Sequence, residues 1–415
     1  MRAVVATTDG PLIAAVSGGG DSLALLLLMR RVAPERSITA LVVDHGLRPG
    51  SAEIAAEAAA RARSLGAAAV VLAASLYGRS QAAARLARYI ALCTAAEAAG
   101  ASRIFLGHTA DDQVETILLR AAAGSSDYGL AGMATFAPAP VWPIGRRLTL
   151  ARPLLGVRRA TLRTLLREAG IVWRDDPAND DPVYARTAVR AAVQDMDEKA
   201  IAAALAEAAD KAAQAAAIDR AARTALDGLR IDAEGRLFLP APALAEVPHA
   251  VGWRGVAALI AAAGGEPRPL PSENVRSIVG ALRGGRGSGD TTLAGAKISW
   301  TREVLTLSRD PGALLGRAKR SGPVAEPLRL ADDWRTFDRR ILVKAETPDL
   351  VGATLSAVRG GRYGARLIVT QGDASMTLVQ AIGRRAVSVT PLAFEIIDRA
   401  LWRGAPGSTA PLTRA

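Results

Sequence analysis

Cysteine is almost absent: Cys93 is the one thiol in 415 residues. That rules out a disulfide within the chain, a cysteine-rich zinc site and a two-thiol redox pair, and with them an extracellular disulfide scaffold. Aromatic residues make up 4% of the chain against 50% hydrophobic overall, so the cores have to be built from Ala, Leu and Val on many helices. No apolar run approaches the roughly 20 residues needed to span a bilayer; the longest leucine-rich stretch is Leu23 to Met29. Asp9 and Gly10 interrupt the apolar residues after Arg2, and Ser17 to Asp21 makes a poor cleavage site, so no signal peptide is expected. These absences predict a cytoplasmic protein that makes no membrane contact. Lysine is scarce too: five of the 52 basic residues are Lys and 47 are Arg, within a net charge of +12. Forked guanidinium donors suit phosphate, which points to nucleic acid more than to an acidic protein partner, although Arg-favouring codon usage would give the same composition.

The length allows two or three domains. Leu12 to Val16 reads as a strand, Ser17-Gly18-Gly19-Gly20-Asp21-Ser22 as a glycine loop, and Leu23 to Arg30 as a helix. Further strands are expected at Ile38 to Val43, Val70 to Leu72 and Arg103 to Leu106, with helices at Ala52 to Leu65, Gln81 to Ala99 and about Asp111 to Ala122 between and after them. This alternation predicts an α/β fold with a doubly wound parallel sheet. Pro138, Pro140 and Pro143 mark an irregular stretch, and Val157 to Ala169 a further helix. The Ala-rich run Ala200 to Leu229 is low in complexity but helix-forming. A helical unit from Leu237 to Ala263 and a β-hairpin over Thr291 to Leu307 follow. In the tail, Ile341 to Val343 and Ala386 to Val389 read as strands and Leu392 to Trp402 as a helix. The expected domains are 1–190 (nucleotide-binding and catalytic), 191–325 (helical linker and middle domain) and 326–415 (a smaller α+β domain, with a +6 balance over 335–415).

Consecutive glycines between a strand and a helix let backbone amides approach a phosphate, and the helix start favours the negative charge. The loop lacks the closing Lys of a Walker motif and does not follow the dinucleotide pattern G-x-G-x-x-G. Serines at both ends can donate to phosphoryl oxygens, and Asp21 fits if it holds a cation or orients the loop. Asp44 and His45 close the second strand, at the carboxyl edge where open sheets bind ligands; His45 can equally be a turn residue. Arg85 and Arg88, three apart on one helix, suit phosphate or form a solvated face. His108, Asp111, Asp112 and Glu115 give an acidic rim at a strand end and helix start. Such a rim could hold an ammonium group and supply a general base, or reflect the acid preference of a helix N-terminus.

The hexapeptide resembles the S-G-G-x-D-S pyrophosphate loop of the PP-loop ATP pyrophosphatases, which cleave ATP between the α and β phosphates. Val43 to Arg48, Ala82 to Tyr89, Gly107 to Thr116, Gly129 to Met133, Arg152 to Leu155 and Trp173 to Asn179 follow in order. With them, residues 12 to about 190 resemble the tRNA(Ile)-lysidine synthetases. That resemblance implies a PP-loop (HUP-like) catalytic domain. Its reaction would be adenylation of the wobble cytidine of a CAU-anticodon tRNA(Ile) at its C2 oxygen, then displacement of AMP by free L-lysine. ATP and Mg²⁺ are the implied cofactors, with no resident metal site, and a homodimer is among the expected partners.

Carried onto this sequence, the catalytic set is Asp21, Asp44, Asp111 and Asp112. The ATP set is Ser17, Gly18, Gly19, Gly20, Asp21, Ser22, His45 and Arg88. His108, Asp111, Asp112 and Glu115 form the lysine or base pocket, and Arg85, Arg152, Arg186 and Arg190 the tRNA contacts. Asp175, Asp176 and Asn179 shape that pocket or make an Asx-turn. Arg186-Thr187 stands where the family usually has Arg-Asn, and Ala123-Gly124-Ser125 where it has Arg-Gly-Ser. A PP-loop tRNA thiolase is the rival enzyme, disfavoured by the lone cysteine; a tRNA-binding protein without catalysis is the rival of another class.

Overall fold

Strand β1 (Leu12–Ala15) is buried along its whole length. Its period-2 alternation sends Leu12 and Ala14 into the core on one side of a sheet, and Ile13 and Ala15 into the core on the other. This pattern defines a central strand covered on both faces, as a parallel sheet requires. The computed structural model describes residues 1–46, 49–75, 80–174, 185–266, 272–284, 287–316, 325–360 and 364–402. They divide into two units, Met1–Ala216 and Ala217–Trp402.

In the first unit, helix α1 (Arg2–Ala6) precedes β1, and α2 (Gly20–Val32), β2 (Ile38–Asp44), α3 (Ser51–Ser64) and β3 (Ala68–Ala73) follow. Next come α4 (Gln81–Ala98), β4 (Arg103–Phe105), α5 (Ala110–Ala122), α6 (Asp127–Leu130), β5 (Phe136–Pro138) and β6 (Thr149–Ala151). Helices α7 (Arg159–Glu168), α8 (Ala185–Asp195) and α9 (Glu198–Thr224) complete the series. The strand order is β3-β2-β1-β4-β6-β5, parallel except for β5 at the edge. Leu23, Leu25, Leu26 and Met29 of α2 are fully buried with Ala55, Ala58, Ala59 and Ala62 of α3 and Leu162 and Leu166 of α7. Each such leucine contributes about 1.5–3 kcal/mol. Tyr89, Leu92, Cys93 and Ala96 of α4 cover the opposite face. The doubly wound parallel sheet expected from the alternation is thus present. Within the proline-marked stretch expected to be irregular, Phe136–Pro138 instead pairs antiparallel with β6, on the sheet edge where proline's missing donor does no harm. The chain leaves β1 toward β2 on one side, while β4 lies on the other. The carboxyl ends of β1 and β4 therefore flank the crevice at the switch point of the sheet.

The second unit begins within α9. It contains β7 (Arg230–Ile231), β8 (Leu237–Pro240), α10 (Pro242–Ala245), α11 (His249–Gly264), α12 (Ser272–Arg283), β9 (Ser288–Leu293), β10 (Ala296–Thr301) and β11 (Val304–Arg309). These strands form an antiparallel sheet, β7-β8-β11-β10-β9. Leu237 opens a strand, not the expected helical unit, because Leu237 and Leu239 alternate inward against β11. The expected hairpin over Thr291 to Leu307 is part of a three-strand meander. Beyond it lie α13 (Pro311–Leu315), β12 (Leu328–Arg329), β13 (Arg335–Phe337), β14 (Ile341–Ala345), β15 (Thr354–Arg359), β16 (Ala365–Gln371), β17 (Ala374–Thr377), α14 (Leu378–Gly383), β18 (Val387–Pro391) and α15 (Ala393–Ala400). Two small sheets, β12-β15-β16-β17 and β13-β14-β18, share a core around Phe337, Ile341, Val343, Leu355 and Val369. No helix among the described residues is long and apolar enough to cross a membrane.

Candidate active site

The glycine loop turns the chain from β1 into α2. Gly18 has φ +82°, and a Cβ there would sit 2.9 Å from the Ala58 Cβ, so a residue without a side chain is required on both counts. The serines knit the turn together. The Ser17 amide donates to Ser22 Oγ at 3.2 Å, Ser22 Oγ donates to the Gly19 carbonyl at 2.8 Å, and the two hydroxyls lie 3.3 Å apart. Helix geometry leaves the amides of Gly20, Asp21 and Ser22 without an intrahelical carbonyl, and the dipole of the 13-residue helix adds to their preference for an anion. Gly107, leaving β4, packs so closely on α2 that a Cβ would be 2.8 Å from the Asp21 carbonyl oxygen. From the other side Trp173 faces Gly20, and the Arg174 amide donates to the Gly18 carbonyl at 3.3 Å.

Beside the loop lies a carboxylate cluster organised by two arginines that sequence reasoning passed over. The Arg159 Nε donates to Asp21 Oδ2 at 3.0 Å, its Nη2 to Asp112 Oδ1 at 3.0 Å and its Nη1 to Glu115 Oε1 at 3.4 Å. Its backbone amide donates to Asp111 Oδ2 at 2.7 Å. Arg158 Nε reaches Asp111 Oδ1 at 3.3 Å, and Arg190 Nε lies 3.5 Å from Glu115 Oε1. Asp112 also caps its own helix, since its Oδ2 accepts from the Thr109 amide and hydroxyl at 2.8 and 2.9 Å and closes a capping box at the start of α5. Burial opposes the charge on Arg159, but Asp112, Asp21 and Glu115 together outweigh it and raise its pKa. For Asp21 the balance is reversed. Burial pushes its pKa up more than Arg159 pulls it down, with Asp112 adding repulsion. The two partners are thus favoured unequally in their charged forms, and a permanently cationic Arg159 is the fixed element of the pair.

Above the cluster, His108 follows β4 and its Nδ1 accepts from Arg152 Nε at 3.2 Å. That bond assigns the proton of the neutral ring to Nε2. Burial, then the Arg152 charge, lowers the His108 pKa to about 4, with Asp112 pulling the other way. Arg152 is itself buried, donating to the Ala134 carbonyl at 2.9 Å. Arg85 is exposed, its guanidinium carbon 5.0 Å from the Tyr89 ring centroid. Half-buried Arg88 has its pKa lowered by burial, and no hydrogen-bond acceptor for it exists among the described residues. His45 lies in its field: burial first, then Arg88, lowers the His45 pKa, and its buried Nδ1 has no partner among the described residues. Asp44 Oδ1 accepts from the Gly46 amide at 2.9 Å, and this bond leads the causes that lower its pKa. The cations named in this crevice are guanidiniums, and no lysine precedes Lys199 in the chain.

The fold therefore brings Ser17 to Ser22, Asp111, Asp112, Glu115 and His108 to one crevice, with His45 within the field of Arg88. Arg152 and Arg190, expected as tRNA contacts, are engaged by His108 and Glu115 within the protein. Arg186, Asp175, Asp176 and Asn179 lie outside the residues whose side chains are described. Arg158 and Arg159 could have been found from one signal: two cations at a helix start oppose the dipole and call for buried carboxylates. Among the described residues, no group of three or more His, Cys, Asp or Glu is placed to hold a metal ion. In the second unit a cavity of about 730 Å³ is lined by residues including Trp334, Glu346, Arg385, Ser388 and Thr390.

A glycine loop feeding a helix start at the switch point of a parallel sheet, with cations across the crevice, defines an ATP-using PP-loop domain, and the PP-loop domain family matches residues 2–196. Three similar proteins are each named tRNA(Ile)-lysidine synthase. That of Hyphomonas neptunium is 45% identical over 184 residues, 44% of this chain and 50% of that protein. That of Leifsonia xyli is 36% identical over 305 residues, covering 70% of this chain and 87% of the relative. That of Salinispora tropica is 40% identical over 315 residues, covering 73% and 92%. The chain belongs to the tRNA(Ile)-lysidine synthase family.

Proposed function

We propose that this enzyme joins free lysine to C2 of the wobble cytidine of a CAU-anticodon tRNA(Ile) in the cytoplasm, through an adenylated tRNA, with release of pyrophosphate and then AMP. The observation that carries this reading is a juxtaposition: an anion-binding helix start and a carboxylate cluster joined by the single guanidinium of Arg159. One end suits a leaving diphosphate and the other an incoming cationic amino acid.

In the first step the cytidine O2 attacks the α-phosphorus of ATP, and the bond from that phosphorus to the oxygen bridging to the β-phosphorus breaks. The amides of Gly20, Asp21 and Ser22, with the Ser17 and Ser22 hydroxyls, receive the negative charge of the departing diphosphate. Arg88 fits the α-phosphate, since no acceptor for it exists among the described residues, and the Nδ1 of His45, likewise without a partner among them, fits a donor on the nucleotide or base. In the second step the lysine ε-amine attacks C2, the C2–O bond breaks, and AMP leaves with that oxygen. Asp112 and Glu115 hold the ammonium end of the substrate, and an acid of this cluster takes the proton the amine must lose. Neutral His108 can donate from Nε2 to an oxygen gaining charge. Mg²⁺ fits as an ion that enters with the nucleotide: guanidinium groups engage all four carboxylates, and Asp21, the least buried of them at 23% exposure and in the first turn of the loop helix, is the one that would meet it. When bound, the ion would neutralise phosphate charge.

Exposed Arg85 and residues 326–415 are proposed to touch the tRNA, the latter supported by their basic balance and by the half-exposed Trp334 beside the cavity. The test is incubation with ATP, radiolabelled lysine and transcripts carrying CAU or a mutated anticodon. Label is expected in the CAU transcript alone, with one AMP and one pyrophosphate per lysine. ATP consumption without lysine incorporation would overturn the proposal, as would equal labelling of both transcripts.

A further inference from the structure

We infer that Arg159 is a positioning residue that couples nucleotide occupancy of the glycine loop to the affinity of the carboxylate cluster for the amine substrate. The inference rests on the lysine reading above. Arg159 opens α7, where the helix dipole disfavours a cation by about 0.3–1 kcal/mol, so its carboxylate contacts have to offset the placement. Those contacts come from two different helices. Asp21 belongs to the first turn of α2, which carries the anion-binding amides; Asp112 and Glu115 belong to α5. By contrast, Arg158 pairs with Asp111 and Glu198, and Arg190 with Glu115, none of them a carboxylate of the loop helix.

A guanidinium is a rigid plane, and drawing it toward one partner lengthens its bonds to the others. The bond to Glu115, at 3.4 Å, is already the longest of the three. A triphosphate seated on the α2 amides brings negative charge to the side of Asp21 and draws the guanidinium that way. Its hold on Asp112 Oδ1 and Glu115 Oε1 then weakens while their other partners, Thr109 and Arg190 among them, stay in place, and the carboxylate charge that Arg159 no longer compensates is what attracts an ammonium group. Linkage makes the effect reciprocal: if nucleotide tightens lysine binding by some factor, lysine tightens nucleotide binding by the same factor.

The experiment measures lysine affinity by titration calorimetry of the full chain, with and without α,β-methylene-ATP, for the wild type and Arg159→Lys. The wild type should bind lysine at least about fivefold tighter with the analogue present, the lower end of ordinary coupling, and should bind the analogue tighter by the same factor with lysine present. Arg159→Lys, whose single ammonium cannot span both helices, should bind both ligands with a ratio near one. Arg190→Lys, outside the loop contact, should keep the wild-type ratio. If Arg159→Lys shows no cooperative melt, Asp21→Asn, which weakens the hold of the loop on the same guanidinium, should show the same loss of coupling. A wild-type ratio of one, or an unchanged ratio in the variant that folds, overturns the inference. Analogue binding with no lysine binding in either condition overturns the lysine reading, and the coupling with it.

Discussion

Gly107 is the point where the exit of β4 bears on the nucleotide loop, and replacing it with Ala tests whether that contact sets the position of the loop. The added Cβ would lie 2.8 Å from the Asp21 carbonyl oxygen, 3.0 Å from the Asp21 carbonyl carbon and 3.1 Å from the Ser22 Cα. All three are backbone atoms, so no flexible side chain can give way. Restoring an ordinary contact of about 3.4 Å moves the first turn of α2 by roughly 0.6 Å, an overpacking that costs about 1–3 kcal/mol. A displacement near 1 Å in a reacting geometry lowers rate by about 10²-fold. Gly107→Ala should therefore melt cooperatively in urea with that loss of stability, while kcat/KM for ATP in lysine incorporation falls by about 10²-fold. Gly156→Ala is the matched control, because a Cβ there meets nothing within 4 Å. It should be unchanged in both measurements. Wild-type ATP kinetics in Gly107→Ala would refute the claim that this contact positions the loop.

Three other perturbations follow from the cluster. Burial raises the folded pKa of Asp21 above its unfolded value, so its ionised form costs stability, a cost that appears as pH rises through the unfolded value and is complete above the folded one. Asp21→Asn should thus match the wild type in acid and be the more stable at neutral pH, while losing about 10²-fold in rate; urea titrations at two pH values check the sign, and a less stable variant at neutral pH would contradict it. Glu115→Ala strips the buried Arg159 and the partly exposed Arg190 of an acceptor and should cost about 3–5 kcal/mol in the same titration. The folded pKa of His108, about 4, lies below the unfolded 6.5, so its contribution to stability is lost as pH falls between those values. Ring NMR should find a neutral imidazole protonated at Nε2 at pH 6, and a titration midpoint near 6.5 would exclude the buried environment described.

Much of the first unit was legible because its signals are local. The β-branched and leucine runs that became β1 and β2 end in glycine or aspartate turns, and α3, α4 and α5 match their expected spans to within two residues. The loop was readable for the same reason, as glycines at a strand-to-helix junction mark a turn that needs positive φ and close backbone approach, as Gly18 shows. What the sequence concealed was pairing at a distance. Arg159 lies 138 residues from Asp21 and 47 from Asp112, and nothing local to either tells of the other. The tRNA role expected of Arg152 came from the motif it belongs to, whereas its burial against His108 depends on the alignment of β4 with β6. At Leu237 a short apolar run was compatible with strand or helix until β11 supplied a partner.

The guanidinium lining of the crevice bears on what the enzyme survives. Under the proposed chemistry the adenylated cytidine is an electrophile made to be captured by a primary amine, and a lysine side chain within reach would capture it first, leaving RNA and enzyme irreversibly crosslinked. Arginine supplies the same positive field without that hazard, because its delocalised, permanently protonated head has no lone pair to offer. With no side-chain amine before Lys199, the stretch of chain that carries the loop and the carboxylate cluster offers no primary amine to its own intermediate, and an amino acid arriving from solution is left to finish the reaction.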